Sequence, residues 1–225
     1  PSYHERLMNI DNPQGIAATE LYKKYGRNSA LYDVSLVVPP ASVAALVGRN
    51  GAGKSTLFKI LAGYERPTSG VATIGGVDAW RRRGEVVLGY LPQEPSLYGR
   101  LSVAQHISLA RHLAPVFDWQ GSTDRLAGLG ISGAQKVQNL SGGQRAQLGL
   151  ILALGLRPRV LLLDEPLASL DPLARREFIE FLQRAVADVG ATTIVSSHIV
   201  DDVHLFARYL VILGQGRVLW SGDVS

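Results

Sequence analysis

Gly48-Arg49-Asn50-Gly51-Ala52-Gly53-Lys54-Ser55-Thr56 is the stretch whose reading decides the fold of this chain. It follows a short apolar run, Val43-Ala44-Ala45-Leu46-Val47, flanked by Pro39-Pro40 and Gly48. That run reads as a buried strand. Leu57, Ile60 and Leu61 come next at helical spacing. A glycine-rich loop between a strand and a helix lets backbone N–H groups converge on a phosphate chain, and the helix N-terminus adds partial positive charge. In that setting Lys54 reaches the β- and γ-phosphates and the Ser55 hydroxyl ligates Mg²⁺. A glycine-rich turn that matches by chance is the alternative, and the flanking strand and helix argue against it. The loop is therefore read as binding a nucleotide, without saying what the nucleotide is used for.

Downstream lies a second apolar run, Val160-Leu161-Leu162-Leu163, closing in Asp164-Glu165-Pro166. Two acids at the end of a buried strand are costly unless a cation sits there, and Mg²⁺ on the phosphates would serve. Asp164 then holds Mg²⁺ through its water shell, and Glu165 polarises an attacking water. A solvated acidic turn capping the next helix is the plainer alternative. Ser141-Gly142-Gly143-Gln144 follows Leu140 and precedes a helix with Leu148, Ile151, Leu152 and Leu154. Ser141 is an N-cap candidate and the paired glycines bare backbone N–H groups, a second anion-binding device in one chain. Ser196-Ser197-His198 follows a buried strand, Ala191 to Val195, which would bring His198 to the edge that carries the acids.

The rest of the chain supplies the frame. Ile16 to Leu21 and Tyr32 to Val38 read as strands joined by a connection holding Tyr25, whose ring could stack on a nucleobase or sit half-buried at a strand edge. Val71 to Ile74 and Val86 to Leu91 read as strands, the latter ending at Pro92-Gln93. Gln93 would then face the crevice where ligands bind, as a Mg²⁺ or water ligand, or else remain a solvated loop residue. From Pro95 to about Lys136 no β-branched run occurs. Ser102 caps one helix there and Leu126, Leu129 and Ile131 suggest another. Leu173 to Val189 is a helix ended by Gly190, and Tyr209 to Leu213 with Arg217 to Trp220 is a hairpin.

The 225 residues are 46% hydrophobic and 19% charged, which suits one α/β domain with a lobe inserted in it. No cysteine is present, so disulfides and thiolate metal sites are excluded. Net charge is +4, but only Arg81-Arg82-Arg83 forms a basic run, read as a solvated surface turn rather than a nucleic-acid contact. No signal-peptide pattern opens the sequence, and its apolar stretches are too short to cross a bilayer. The expectation is a soluble chain, or one held at a membrane by another subunit.

Together these elements resemble the ATP-binding subunit of ABC transporters over about residues 16 to 223. Gly48 to Thr56 matches Walker A, Leu140 to Gln144 the LSGGQ signature, and Val160 to Glu165 Walker B with its following glutamate. Gln93 sits at the Q-loop position, Ser169-Leu170-Asp171 at the D-loop, His198 at the switch histidine and Tyr25 at the aromatic A-loop. The resemblance implies an α/β P-loop NTPase core with a mixed sheet flanked by helices. It also implies an N-terminal antiparallel β part and a helical subdomain inserted at about residues 95–150. Residues 1–15 are then an extension and 16–225 the ATPase domain. ATP would lie with Mg²⁺ between the Walker A of one chain and the LSGGQ of a second copy, or of a homologous cassette, paired head to tail. Lys54, Glu165 and His198 would carry hydrolysis, and transmembrane subunits would hold the chain on the cytoplasmic face of the membrane. Ala41 and Leu167-Ala168 depart from the commoner Gly and Thr-Ser. The single-domain layout and the stretch Tyr90 to Tyr98 look closer to drug- or antibiotic-export ATPases, so export is expected over import. A soluble ABC ATPase of the iron–sulfur assembly type is the competing reading. A nucleic-acid-acting member is disfavoured by the lack of heptads, cysteines and a second cassette.

Overall fold

A computed structural model describes residues 15–82, 84–168, 170–199 and 203–224. The proposed extension before residue 15, Arg83 of the arginine run and Ser169 of the D-loop lie outside the described residues. Ten strands and five α-helices are described: β1 (Ile16–Tyr25), β2 (Asn28–Val38), β3 (Val43–Val47), α1 (Lys54–Leu61), β4 (Ser69–Ile74), β5 (Val77–Asp78), β6 (Leu88–Leu91), α2 (Val103–Leu113), α3 (Trp119–Gly128), α4 (Gly142–Gly155), β7 (Val160–Leu163), α5 (Pro172–Val189), β8 (Thr192–Ser197), β9 (Tyr209–Gly214) and β10 (Arg217–Asp223).

The strands form two sheets. One is antiparallel, in the order β2-β1-β4-β5. The other is mixed, in the order β10-β9-β3-β8-β7-β6, parallel throughout except for the β9–β10 hairpin. Residues alternate between the faces of a strand, and the core obeys this. Leu161 and Leu163 of β7 face the cluster that holds α4 and α5, while Val160 and Leu162 face the cluster that holds α1 and the antiparallel sheet. A strand buried on both faces needs a continuous apolar run, and Val160 to Leu163 are all fully buried. The parallel register places the C-terminal ends of β3, β7 and β8 side by side, with Val47 opposite Ser197 and Leu163 opposite Val195. In such sheets that edge is where ligands bind.

Helix starts follow their side chains. Ser102 and Gln105 form a reciprocal capping box on α2, and Ser141 and Gln144 form another on α4. Asp171 caps α5 with Pro172 behind it, and Gly190 closes that helix in the left-handed region. Asp118 caps α3.

Several boundaries differ from the sequence expectation. β1 does not stop at Leu21 but runs to Tyr25, and β2 begins at Asn28, so Tyr25 closes a strand at a tight hairpin instead of lying in a loop. The cause is irregular pairing. Register shifts at Ala18/Leu21 and Leu21/Lys23 accompany a positive φ of 49° at Glu20, which breaks the alternation a sequence reading relies on. Gly70 sits under that bulge, where a Cβ would meet the Glu20 carbonyl oxygen at 2.1 Å. β8 continues through Ser196 and Ser197, both buried, because their hydroxyls find partners inside. β6 starts at Leu88, two residues late.

Candidate nucleotide site

The loop Gly48 to Gly53 leaves β3 and turns into α1. Gly51 and Gly53 take φ values of 81° and 105°, which other residues seldom adopt. No side chain caps α1, so the N–H groups of Lys54, Ser55 and Thr56 open its first turn without a capping partner. Arg49, Asn50 and Gly51 are exposed, while Ala52 beneath them is buried. The loop borders a cavity of about 1080 Å³ that His198, Gln215 and Leu219 also line.

Lys54 is buried, and its Nζ donates to the carbonyl oxygens of Gly48 and Arg49. The same Nζ lies 3.0 Å from Glu165 Oε1, and both side chains are less than 8% exposed. Glu165 Oε2 in turn lies 2.8 Å from His198 Nδ1. Lys54 at the start of α1 and His198 just past β8 thus meet on the one carboxylate of Glu165. Glu165 takes φ 51°, an unusual conformation for a non-glycine residue. Asp164 points elsewhere. Its Oδ1 accepts a 2.8 Å hydrogen bond from the Ser196 hydroxyl, whose oxygen also accepts the Glu165 backbone N–H at 2.8 Å. Ser196 therefore locks the two acids into different directions. Sequence reading passed it over as a residue beyond the strand. The only signal was its place two before His198.

Asp164 is 2% exposed, and among the described residues no cation pairs with it. A buried carboxylate with no cation beside it, just past β7 and one strand removed from the strand that leads into the phosphate loop, fits a hard divalent cation with oxygen ligands, and Ser55 offers a second oxygen at the helix start. Burial, reinforced by the Asp164 carboxylate, pushes the Tyr90 phenol up to about 12.

Among the described residues the other sequence candidates make no hydrogen bond or ion pair with this cluster, though Gln93 and Gly142 share a cavity with Glu165. Gln93 is exposed and makes no hydrogen bond to Asp164, Glu165 or Ser55 among the described residues. It lines a smaller cavity with Glu94, Gly142, Arg145 and Glu165. Ser141 and Gln144 spend their side chains on each other, Ser141 Oγ accepting from Gln144 N and Gln144 Oε1 accepting from Ser141 N, both at 3.1 Å. None of Ser141, Gly142, Gly143 or Gln144 lines the phosphate-loop cavity. Tyr25 is 45% exposed at the β1–β2 hairpin, with its hydroxyl on Glu65. Asp171 is used as the α5 cap. Arg81 and Arg82 pair locally with Asp78 and Glu85, as a solvated turn does.

Among the described residues no helix is long and apolar enough to cross a membrane. Residues 31–168 match the family described as ABC transporter. The chain is 34% identical to the phosphonates import ATP-binding protein of Maricaulis maris over 239 residues, covering 96% of this chain and 90% of that protein. It is 33% identical over 216 residues to the Fe(3+) ions import ATP-binding protein of Pseudomonas fluorescens, covering 90% of this chain but only 59% of that longer protein. A subunit of the cbiONQ ABC transporter complex of Clostridium perfringens superposes with a TM-score of 0.82 and 28% identity, over 92% of this chain and 88% of that one. The chain belongs to the ABC transporter family, as one of its ATPase cassettes.

Proposed function

We propose that this chain binds ATP on the Gly48–Thr56 loop and hydrolyses it to drive a membrane importer. The observation that supports this most is the meeting of Lys54, Glu165 and His198 beside an uncapped helix start. Without nucleotide, Lys54 and Glu165 neutralise each other. An incoming γ-phosphate competes for Lys54, and the freed Glu165 carboxylate becomes the base that takes a proton from the attacking water. Water oxygen bonds to the γ-phosphorus as the bond to the ADP oxygen breaks, giving ADP and inorganic phosphate. Lys54 and the loop N–H groups stabilise the developing charge, and His198 holds the carboxylate and faces the γ-phosphate. Mg²⁺ held at Asp164 and Ser55 would neutralise charge on the β- and γ-phosphates. Tyr25 would stack on the base, and Gln93 would offer its amide oxygen to the metal or to a water.

Ser141 to Gln144 do not line the phosphate-loop cavity, so on this reading they serve the site of a partner cassette, and the partner's signature serves this one. Transmembrane subunits are the further partners, as the transporter relatives suggest. Import replaces the export expected from layout. The two curated relatives above are named for import, and one of them is matched over 90% of its own length, so a cassette of this size is no mark of export.

The test of the site is Lys54→Ala. The variant should lose most ATP affinity by calorimetric titration while keeping its circular dichroism spectrum. Unchanged affinity in a folded variant would refute the assignment. Direction is tested by co-expressing the chain with the membrane subunits it co-purifies with, and asking whether ATP drives substrate towards or away from the cassette side.

A further inference from the structure

Glu65 is on no motif, yet it sits at the junction between the base-binding hairpin and the phosphate-binding helix. It follows the turn after α1, and 22% of its side chain is exposed. Its Oε2 accepts the Tyr25 hydroxyl and lies 3.1 Å from Lys23 Nζ, which itself stands 4.9 Å from the centre of the Tyr25 ring. Its Oε1 lies 3.8 Å from Lys59 Nζ of α1. Lys23 also donates to the Arg66 carbonyl at 2.8 Å, tying the same turn to β1. Burial pushes the Tyr25 phenol above its ordinary value, the bond to Glu65 adds to this, and the Thr56 hydroxyl opposes it. So the end of the ring opposite its backbone is held by a carboxylate that follows α1, with Lys23 beside the ring. An exposed aromatic at a hairpin tip would otherwise sample several rotamers and lose entropy on stacking.

We propose that Glu65 is a positioning residue for nucleotide recognition: it pins the Tyr25 ring at a fixed place relative to the phosphate loop, so that base and phosphates are engaged together. This rests on the reading that Tyr25 stacks on the base. The pin acts on the base alone, which gives a clean discriminator. Magnesium tripolyphosphate occupies the loop but has no base.

The experiment is calorimetric titration of ATP and of tripolyphosphate, each with Mg²⁺, into wild type, Tyr25→Ala, Tyr25→Phe, Glu65→Ala, Glu65→Gln and the Tyr25→Phe/Glu65→Ala pair. Glu65→Ala and Tyr25→Phe should each weaken ATP by about three- to tenfold, the worth of one hydrogen bond. Both should leave tripolyphosphate within about twofold. The double variant should be no weaker than either single one, and Glu65→Gln, whose amide oxygen can accept the phenol, should recover most of the loss. Equal weakening of both ligands by Glu65→Ala would make the residue merely structural and overturn the inference. Full ATP affinity in Glu65→Ala with a loss in Tyr25→Ala would overturn it and leave the stacking reading standing. Full ATP affinity in Tyr25→Ala would remove both.

Discussion

Ser196 shows how much one hydroxyl does in this site. It is 1% exposed and bonds both acids that follow β7, donating to Asp164 and accepting from the Glu165 N–H. Ser196→Ala leaves a buried N–H and a buried carboxylate each short of a partner. We predict a loss of about 1–3 kcal/mol in urea denaturation. The Mg²⁺ concentration needed for half-maximal ATP binding should also rise, because the Asp164 carboxylate is no longer aimed. Neither change occurring would make the hydroxyl a spectator. Lys54, Glu165 and His198 were legible in the sequence because their neighbours fix their place: glycines before a helix, two acids after an apolar strand, a polar stop after another strand. Ser196 was not, since two serines after Val195 read as the end of burial, and only its partners just past β7 give its hydroxyl a place in the interior. Glu65 was illegible for the same reason, its partners lying on β1 and α1.

At the scale of elements, local chemistry decided most boundaries. The caps Ser102, Ser141 and Asp171 carry side-chain oxygens that satisfy helix N–H groups, and all sit where such residues precede periodic runs. The antiparallel sheet was harder to read, because a bulge interrupts its period. Asp118 caps α3 and also meets Arg157 at 3.3 Å. The Gly121 N–H holds its carboxyl below the ordinary value, against the upward pull of burial and with help from Arg157. A depressed folded pKa means the contribution is full above the unfolded value and fades as pH falls through the lower folded one. Asp118→Ala should therefore cost about 1 kcal/mol at neutral pH, and the gap from wild type should close below about pH 4. A gap independent of pH would assign the cap to shape rather than charge. Ala41 offers the opposite case. It takes φ 51° just before β3, with its N–H on the Thr192 hydroxyl at 3.0 Å. The left-handed region costs a non-glycine residue about 1–2 kcal/mol. Glycine removes that strain but loses about 0.5–1 kcal/mol of chain entropy. Ala41→Gly should stabilise the chain by up to about 1 kcal/mol, seen as a melting temperature raised by a few degrees, and a lowered one would contradict the strain.

At the scale of the whole molecule, two helix starts among the described residues read as anion-binding and do not share a cavity, α1 with its phosphate loop and α4 with Ser141 to Gln144. A twofold pairing would give each start a use, and if ATP completes the contact as proposed, association should depend on ATP. Architecture at this scale was legible from the order of strand and helix patterns. The direction of transport was not: the layout suggested export, whereas the two curated relatives compared above are named for import. The central claim is that one cassette is half of a site, and Glu165→Gln tests it most directly. The substitution keeps the side chain's shape, removes the base and dissolves the resting ion pair with Lys54, so ATP should bind at least as well. Hydrolysis should fall by about 10²–10⁴. Size-exclusion chromatography with ATP and Mg²⁺, paired with phosphate release, should show Glu165→Gln as a dimer, wild type as a monomer, and Glu165→Gln/Ser141→Arg as a monomer again. Wild-type hydrolysis by Glu165→Gln, or an inactive variant that stays monomeric with ATP, would contradict the account.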